Sequence, residues 1–194
     1  MTKSIDFYFD FISPYSYLAY KKLILFNKNN KINVNFKPIL LGGLHKLSEI
    51  TAPAFNVSKM KNMKNDCELV AIKNNIDFKW NSKFPINSLY LMRGYLVIEK
   101  KFRESFFNVC FDFYWKDDVD ISNEENIRKI LKITGTNIEK FFKNIQDQKI
   151  KDKLKDLTND AFKNDIFGAP TFVVNKKIFW GQDRLDYAID EYNS

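Results

Sequence analysis

The residues with chemistry to offer sit near the start of the chain, in Asp6-Phe7-Tyr8-Phe9-Asp10-Phe11-Ile12-Ser13-Pro14-Tyr15-Ser16-Tyr17. Aromatics alternate with acids in the first half, the pattern of a strand that buries at least one face. Ser13 then offers a hydroxyl in the N-cap position, and Pro14 falls in the first helical turn, where proline is tolerated. Tyr17, Leu18, Ala19, Tyr20, Leu23 and Leu25 supply an apolar helix face. A hydroxyl at such a junction lies among unpaired N–H groups and the positive end of the helix dipole, where an anion is stabilised. By itself, a serine before proline at a helix start reads as a cap more readily than as a catalyst.

The rest of the reactive inventory is thin. Dithiol chemistry requires Cys-x-x-Cys at the start of the first helix, with one thiol's pKa lowered there. Ser13-Pro14-Tyr15-Ser16 occupies that place, which excludes thiol–disulfide exchange by the protein's own sulfurs. Cys67 and Cys110 are far from the junction and read as buried, apolar-like residues. His45 is the single histidine, so neither a histidine triad nor a multi-histidine metal site is expected. Its default reading is a lone exposed side chain. Asp10 reads as a polar residue at a strand's end, and Trp80 as packing.

The elements that must hold Ser13 in place come from both ends of the chain. Phe167-Gly168-Ala169-Pro170-Thr171-Phe172-Val173-Val174 sets a proline before a short β-prone run. A turn at Asn175-Lys176-Lys177, a second short strand Ile178-Phe179-Trp180 and a helix over 182–192 complete that end. Near the N-terminus, 32–37 alternates with period two as another strand, and the chain leaves the sheet through Gly42-Gly43. Strand–helix–strand followed by proline–hairpin–helix is the order of a thioredoxin fold, in which the Ala169–Pro170 bond would be cis. The middle reads as helices over 60–74, from Pro85-Ile86-Asn87 onward, and over 103–114, 124–131, 138–145 and 148–163. The predicted fold class is therefore α/β. Residues 1–42 and 154–194 form the thioredoxin-like domain, and 43–153 form an all-helical insertion.

Composition removes several classes of function. The net charge of +7 comes from 31 basic and 24 acidic residues interspersed along the chain, without a Lys/Arg block, so no nucleic-acid partner is expected. A mildly basic surface favours an anionic small ligand. Every apolar run is soon broken by Lys, Asn or Asp, so no membrane span is expected. Met1-Thr2-Lys3-Ser4 leads straight into strand-like sequence, and the expected compartment is cytoplasmic.

Four motifs in order carry a resemblance over nearly the whole chain. Phe9-Asp10-Phe11-Ile12-Ser13-Pro14-Tyr15-Ser16-Tyr17-Leu18-Ala19 resembles the opening signature of the 2-hydroxychromene-2-carboxylate isomerases, relatives of the kappa-class glutathione transferases. Pro38-Ile39-Leu40-Leu41-Gly42-Gly43-Leu44 and Phe84-Pro85-Ile86-Asn87-Ser88-Leu89 match next. Phe167-Gly168-Ala169-Pro170-Thr171-Phe172 and Trp180-Gly181-Gln182-Asp183-Arg184-Leu185 resemble the closing signature. The resemblance implies a DsbA-like thioredoxin fold, glutathione as cofactor, a small electrophilic substrate and a homodimer. It implies that Ser13 is catalytic, stabilising a bound glutathione thiolate by hydrogen bond and helix dipole. Ala169 would pair its backbone with the tripeptide. Trp180, Gly181, Gln182 and Asp183 would receive the γ-glutamyl end, N–H groups facing its carboxylate and Asp183 its ammonium. His45, Asn87 and Ser88 fall on the substrate side. Asn87 also reads as an N-terminal helix residue, and that alternative stays open. One departure is visible: in Ser48-Glu49-Ile50-Thr51-Ala52-Pro53, Ile50 stands where many kappa-like members carry asparagine.

The activity implied is a glutathione-dependent isomerisation of a conjugated aromatic acid. Transferase chemistry at the same site, and a glutathione-binding module without catalysis, are the alternatives.

Overall fold

A computed structural model of the chain describes residues 3–27 and 31–194; Met1 and Thr2, which open the Met1-Thr2-Lys3-Ser4 run noted above, lie outside them. Strand β1, Ile5–Phe9, alternates as its sequence requires: Ile5, Phe7 and Phe9 are fully buried, while Asp6 and Tyr8 are partly covered. Helix α1, Pro14–Asn27, follows after four residues, and β2, Val34–Pro38, returns parallel to β1 with Phe9 opposite Pro38. Pro38 closes an edge strand, where a missing N–H breaks no ladder.

Helices then occupy the chain up to the third strand: α2 Leu41–Leu47, α3 Val57–Lys73, α4 Leu89–Val97, α5 Arg103–Trp115, α6 Glu124–Ile133, α7 Ile138–Ile145 and α8 Gln148–Lys163. Side chains mark several of their starts. Asn56, Asn123, Asn137 and Asp147 each accept N–H groups from the first turn of α3, α6, α7 and α8. Strands β3, Thr171–Val174, and β4, Lys177–Trp180, form a hairpin around Asn175 and Lys176, both at positive φ (49° and 66°). A turn with both central residues at positive φ matches the strand twist. The chain ends in α9, Leu185–Asn193. The sheet order is β2-β1-β3-β4, with β3 antiparallel to β1. No described residue between β2 and β3 belongs to a strand.

Three local readings change. Pro85-Ile86-Asn87 does not open a helix; the Phe84–Pro85 bond is cis, and the Asn87 carboxamide oxygen accepts the Leu89 N–H at 3.0 Å, just outside α4. Gly42 and Gly43 do not form an exit loop but lie inside α2. Gln182 and Asp183 begin a 3-10 turn, Gln182–Arg184, and the last α-helix starts only at Leu185. Residue 154, where the sequence reading divided the chain, falls within the continuous helix α8.

The helical segment and the sheet share one core. Phe9 meets Phe107 of α5 at 4.6 Å between ring centroids and Tyr95 of α4 at 5.2 Å. Trp80 packs against Phe84 and Trp115, as a packing residue should. Trp115 also donates its indole N–H to the Phe11 carbonyl at 2.9 Å, tying α5 to the turn that carries Ser13. Replacing Trp115 with phenylalanine orphans that buried carbonyl, so a loss of about 1–3 kcal/mol is expected from this effect alone, read as a lower urea midpoint at unchanged slope.

Candidate active site

The Ser13 hydroxyl is an N-cap, as its sequence position requires. Its Oγ accepts the Ser16 N–H at 3.1 Å, and its carbonyl accepts the first intrahelical bond from Tyr17 N. The same hydroxyl donates across the fold to the Ala169 carbonyl at 2.9 Å. Ser13 is only 3% exposed. Ser16, in the second hydroxyl position of the motif, is fully buried and its Oγ has no hydrogen-bond partner among the described residues. Tyr15 lies between them, its hydroxyl against the Asp66 carboxyl and the Cys67 thiol of α3. Burial pushes the Tyr15 phenol and the Cys67 thiol well up, so both stay protonated near neutrality. Cys110 is buried too, its thiol pushed up by the same cause.

Ala169 precedes Pro170 through a cis bond, as expected. The Ala169 N–H has no acceptor among the described residues. Around it, Gly181 donates its N–H to the Pro170 carbonyl at 3.0 Å, and Thr171 Oγ1 donates to the Gly168 carbonyl at 2.7 Å. Trp180 stacks near Phe167 with ring centroids 4.8 Å apart and remains 54% exposed. Two glycines here sit against side chains, and Gly181 also adopts a φ that other residues rarely take. A Cβ on Gly168 would lie 2.6 Å from Trp180 Nε1, and one on Gly181, at φ +112°, would lie 2.5 Å from Asp183 Oδ1. The Gln182 carbonyl accepts Lys22 Nζ of α1 at 3.3 Å. Asp183 is exposed and pairs with the adjacent Arg184 at 2.8 Å. Ser13, Ala169, Trp180, Gly181, Gln182 and Asp183 thus gather around one end of the sheet.

On the other flank the key group is one the sequence reading passed over. Asp10 is completely buried. Its Oδ1 accepts the Ile12 N–H at 3.1 Å, its Oδ2 accepts the Leu41 N–H of α2 at 2.8 Å, and the Ser88 hydroxyl at the mouth of α4 bonds to the same carboxyl. Its main-chain carbonyl takes the Ser13 N–H at 3.0 Å. Nothing in sequence periodicity signals this; only its place three residues before Ser13 does. Of the substrate-side candidates, Ser88 is buried and joined to the site through Asp10. Asn87 is exposed and engaged as a cap. His45 corrects the expectation of a free surface histidine. It is half-buried on α2, burial lowers its pKa, and its imidazole makes no hydrogen bond or ion pair among the described residues.

Burial raises the Asp10 carboxyl to about 6, against the lowering effect of the Leu41 N–H, Ser88, and the Ile12 and Phe11 N–H groups. An acid with a raised folded-state pKa adds stability below its unfolded value, and that stability is lost as pH rises through the folded value. Unfolding free energy should therefore fall between roughly pH 4 and pH 6 by about 2–3 kcal/mol through this group alone. Asp10→Asn should remove that component. Urea unfolding of both proteins at pH 4.5 and pH 7.5 checks it, and equal pH dependence in the two would refute it.

Residues 4–193 match the family model described as a DSBA-like thioredoxin domain. Over 189 residues the chain is 28% identical to a 2-hydroxychromene-2-carboxylate isomerase of Sphingobium xenophagum, covering 96% of each. It is 24% identical to the human glutathione S-transferase kappa 1, over 96% of this chain and 89% of that one. Among solved structures, a 2-hydroxychromene-2-carboxylate isomerase superposes with a TM-score of 0.89 at 21% identity, over 97% of this chain and 94% of the other, a likeness of fold. No described helix is long and apolar enough to cross a membrane. With its sheet order, its proline turn and a match running nearly end to end, the chain belongs to the DsbA-like thioredoxin-domain family.

Proposed function

We propose that this protein is a glutathione-dependent isomerase of a conjugated aromatic acid, with Ser13 as its catalytic hydroxyl. The observation that carries the reading is the double engagement of Ser13: Oγ is held by the Ser16 N–H at a helix start and reaches the Ala169 carbonyl beside the proline turn. Similarity to named isomerases supports the reaction class. The lesser similarity to kappa-class transferases keeps transfer chemistry as the second reading.

The residues present fit a bound tripeptide. The unpaired Ala169 N–H offers the backbone donor that an extended peptide carbonyl requires. Trp180, half open to solvent, lies beside it against Gly168. Asp183 would meet the γ-glutamyl ammonium. Its present partner, Arg184, forms an exposed pair of the kind that costs little to break. Bound there, glutathione would supply a nucleophilic thiol for reversible addition to the conjugated double bond, with Ala169 and Asp183 holding its backbone and Ser13 facing its sulfur.

What the chain contributes is orientation and charge stabilisation. Because the Ser16 N–H fixes Oγ, the hydroxyl needs only to rotate about its C–O bond to turn its proton from the Ala169 carbonyl toward a sulfur. The positive end of the α1 dipole favours the negative charge that this hydrogen bond also stabilises.

Ser13→Ala should raise the pKa of bound glutathione by roughly one to two units, the equivalent of a charge-assisted hydrogen bond of about 1.5–3 kcal/mol. Titrating thiolate absorbance in both proteins measures this. An unchanged pKa together with an unchanged isomerisation rate would reduce Ser13 to a cap. Asp183→Ala should weaken glutathione binding in calorimetry, and equal affinity of the wild type for glutathione and free cysteine would count against the site.

A further inference from the structure

Two polar anchors leave the Ser13 turn in different directions. Ser13 Oγ reaches the proline loop through Ala169. The Asp10 side chain instead reaches the start of α2 through Leu41 and the mouth of α4 through Ser88. A sulfur lying along Ala169 and Trp180–Asp183 leaves α2 and the Ser88 segment as the wall on the electrophile's side. Above Gly42, in the first turn of α2, there is open space within 4 Å of where a side chain would be.

We propose that Asp10 is a positioning residue: its carboxylate locks α2 and the entry to α4 against the Ser13 turn, and so aligns the electrophile with the sulfur. The inference rests on the functional reading given above. Its chemistry is specific to a carboxylate. Backbone N–H groups donate to both oxygens, so an amide in the same place would turn an NH2 group against one of them. Burial makes the charged form costly here, and a costly ion with several donors near a candidate site is a mark of function. The fold does not hang on this group. Helix α2 is also held by Thr158 Oγ1, which accepts the Leu40 N–H at 3.0 Å, and by the buried Leu44.

The test compares wild type with Asp10→Asn, Ser88→Ala and the double variant. Near neutral pH, Asp10→Asn should still unfold as one cooperative unit, yet lose tenfold or more in kcat for a conjugated aromatic acid. Glutathione KM and its calorimetric Kd should stay within twofold. Amide exchange in residues 41–47 should quicken at least tenfold. The double variant should lose no more than the worse single variant, because the two side chains act through one bond. Unchanged kcat, or a loss matched by weaker glutathione binding, would overturn the positioning role. If the wild type turns over no conjugated acid with glutathione, the functional reading falls instead. Exchange in 41–47 then judges Asp10 alone: an unchanged rate overturns its role and an accelerated one upholds its lock on α2.

Discussion

One hydroxyl with a single proton joins the two ends of the site. Ser13 Oγ takes the Ser16 N–H and gives its proton to the Ala169 carbonyl, across 156 residues of sequence. The first bond fixes the oxygen at the helix start; the second spans the gap between β1 and the proline turn before β3. Everything that surrounds this bridge serves to keep its length. The β1–β3 ladder sets the distance between the two loops, and the Trp115 indole pins Phe11 from the helical side. Loose packing would matter here more than elsewhere, because a hydrogen bond weakens steeply with misalignment.

The same turn carries a buried carboxylate, and the two groups pull in opposite senses. Asp10 places a dehydrated acid near the position where a thiolate is proposed to form, which by Coulomb repulsion opposes that second negative charge. The dipole of α1 and the Ser13 hydroxyl act the other way. Geometry shows which role Asp10 can fill. Its oxygens accept the Ile12 and Leu41 N–H groups and the Ser88 hydroxyl, so its charge is spent on N–H and O–H donors of its own.

The fold was legible because local signals agreed. Alternation in 5–9, the Ser13-Pro14 helix start, the β-prone run after Pro170 and the Asn175-Lys176 turn each pointed to the same topology. Helix starts marked by Asn or Asp caps were recovered closely, 138–145 and 148–163 to the residue. The misreadings share a cause. Proline at 85 looks like a first-turn residue, but α4 starts only at Leu89, whose N–H is taken by the Asn87 side chain one residue before the N-cap. A glycine pair looks like a break, yet α2 holds it because Asp10 and Thr158 satisfy the N–H groups at its start. The Asp10 network was invisible for the same reason: Leu41 and Ser88 are 31 and 78 residues away, and no period links them.

Serine at both motif positions changes what this scaffold can do with sulfur. A cysteine at position 13 would attack an incoming disulfide, expelling one thiolate and keeping the other half as a mixed disulfide, and a second at position 16 would release it; hydroxyls can do neither, so any sulfur chemistry must begin and end on a mobile thiol. Ser16 sharpens the contrast. Its Oγ is fully buried without a partner among the described residues, a group that costs about 1–3 kcal/mol to leave unpaired. A residue retained only for packing would be better as alanine or as a small apolar side chain. Ser13, by comparison, satisfies its oxygen twice and yet can release its proton by rotation alone. The arrangement suits a site that must stabilise a foreign sulfur transiently and let it go, which reversible addition requires and a disulfide exchanger does not.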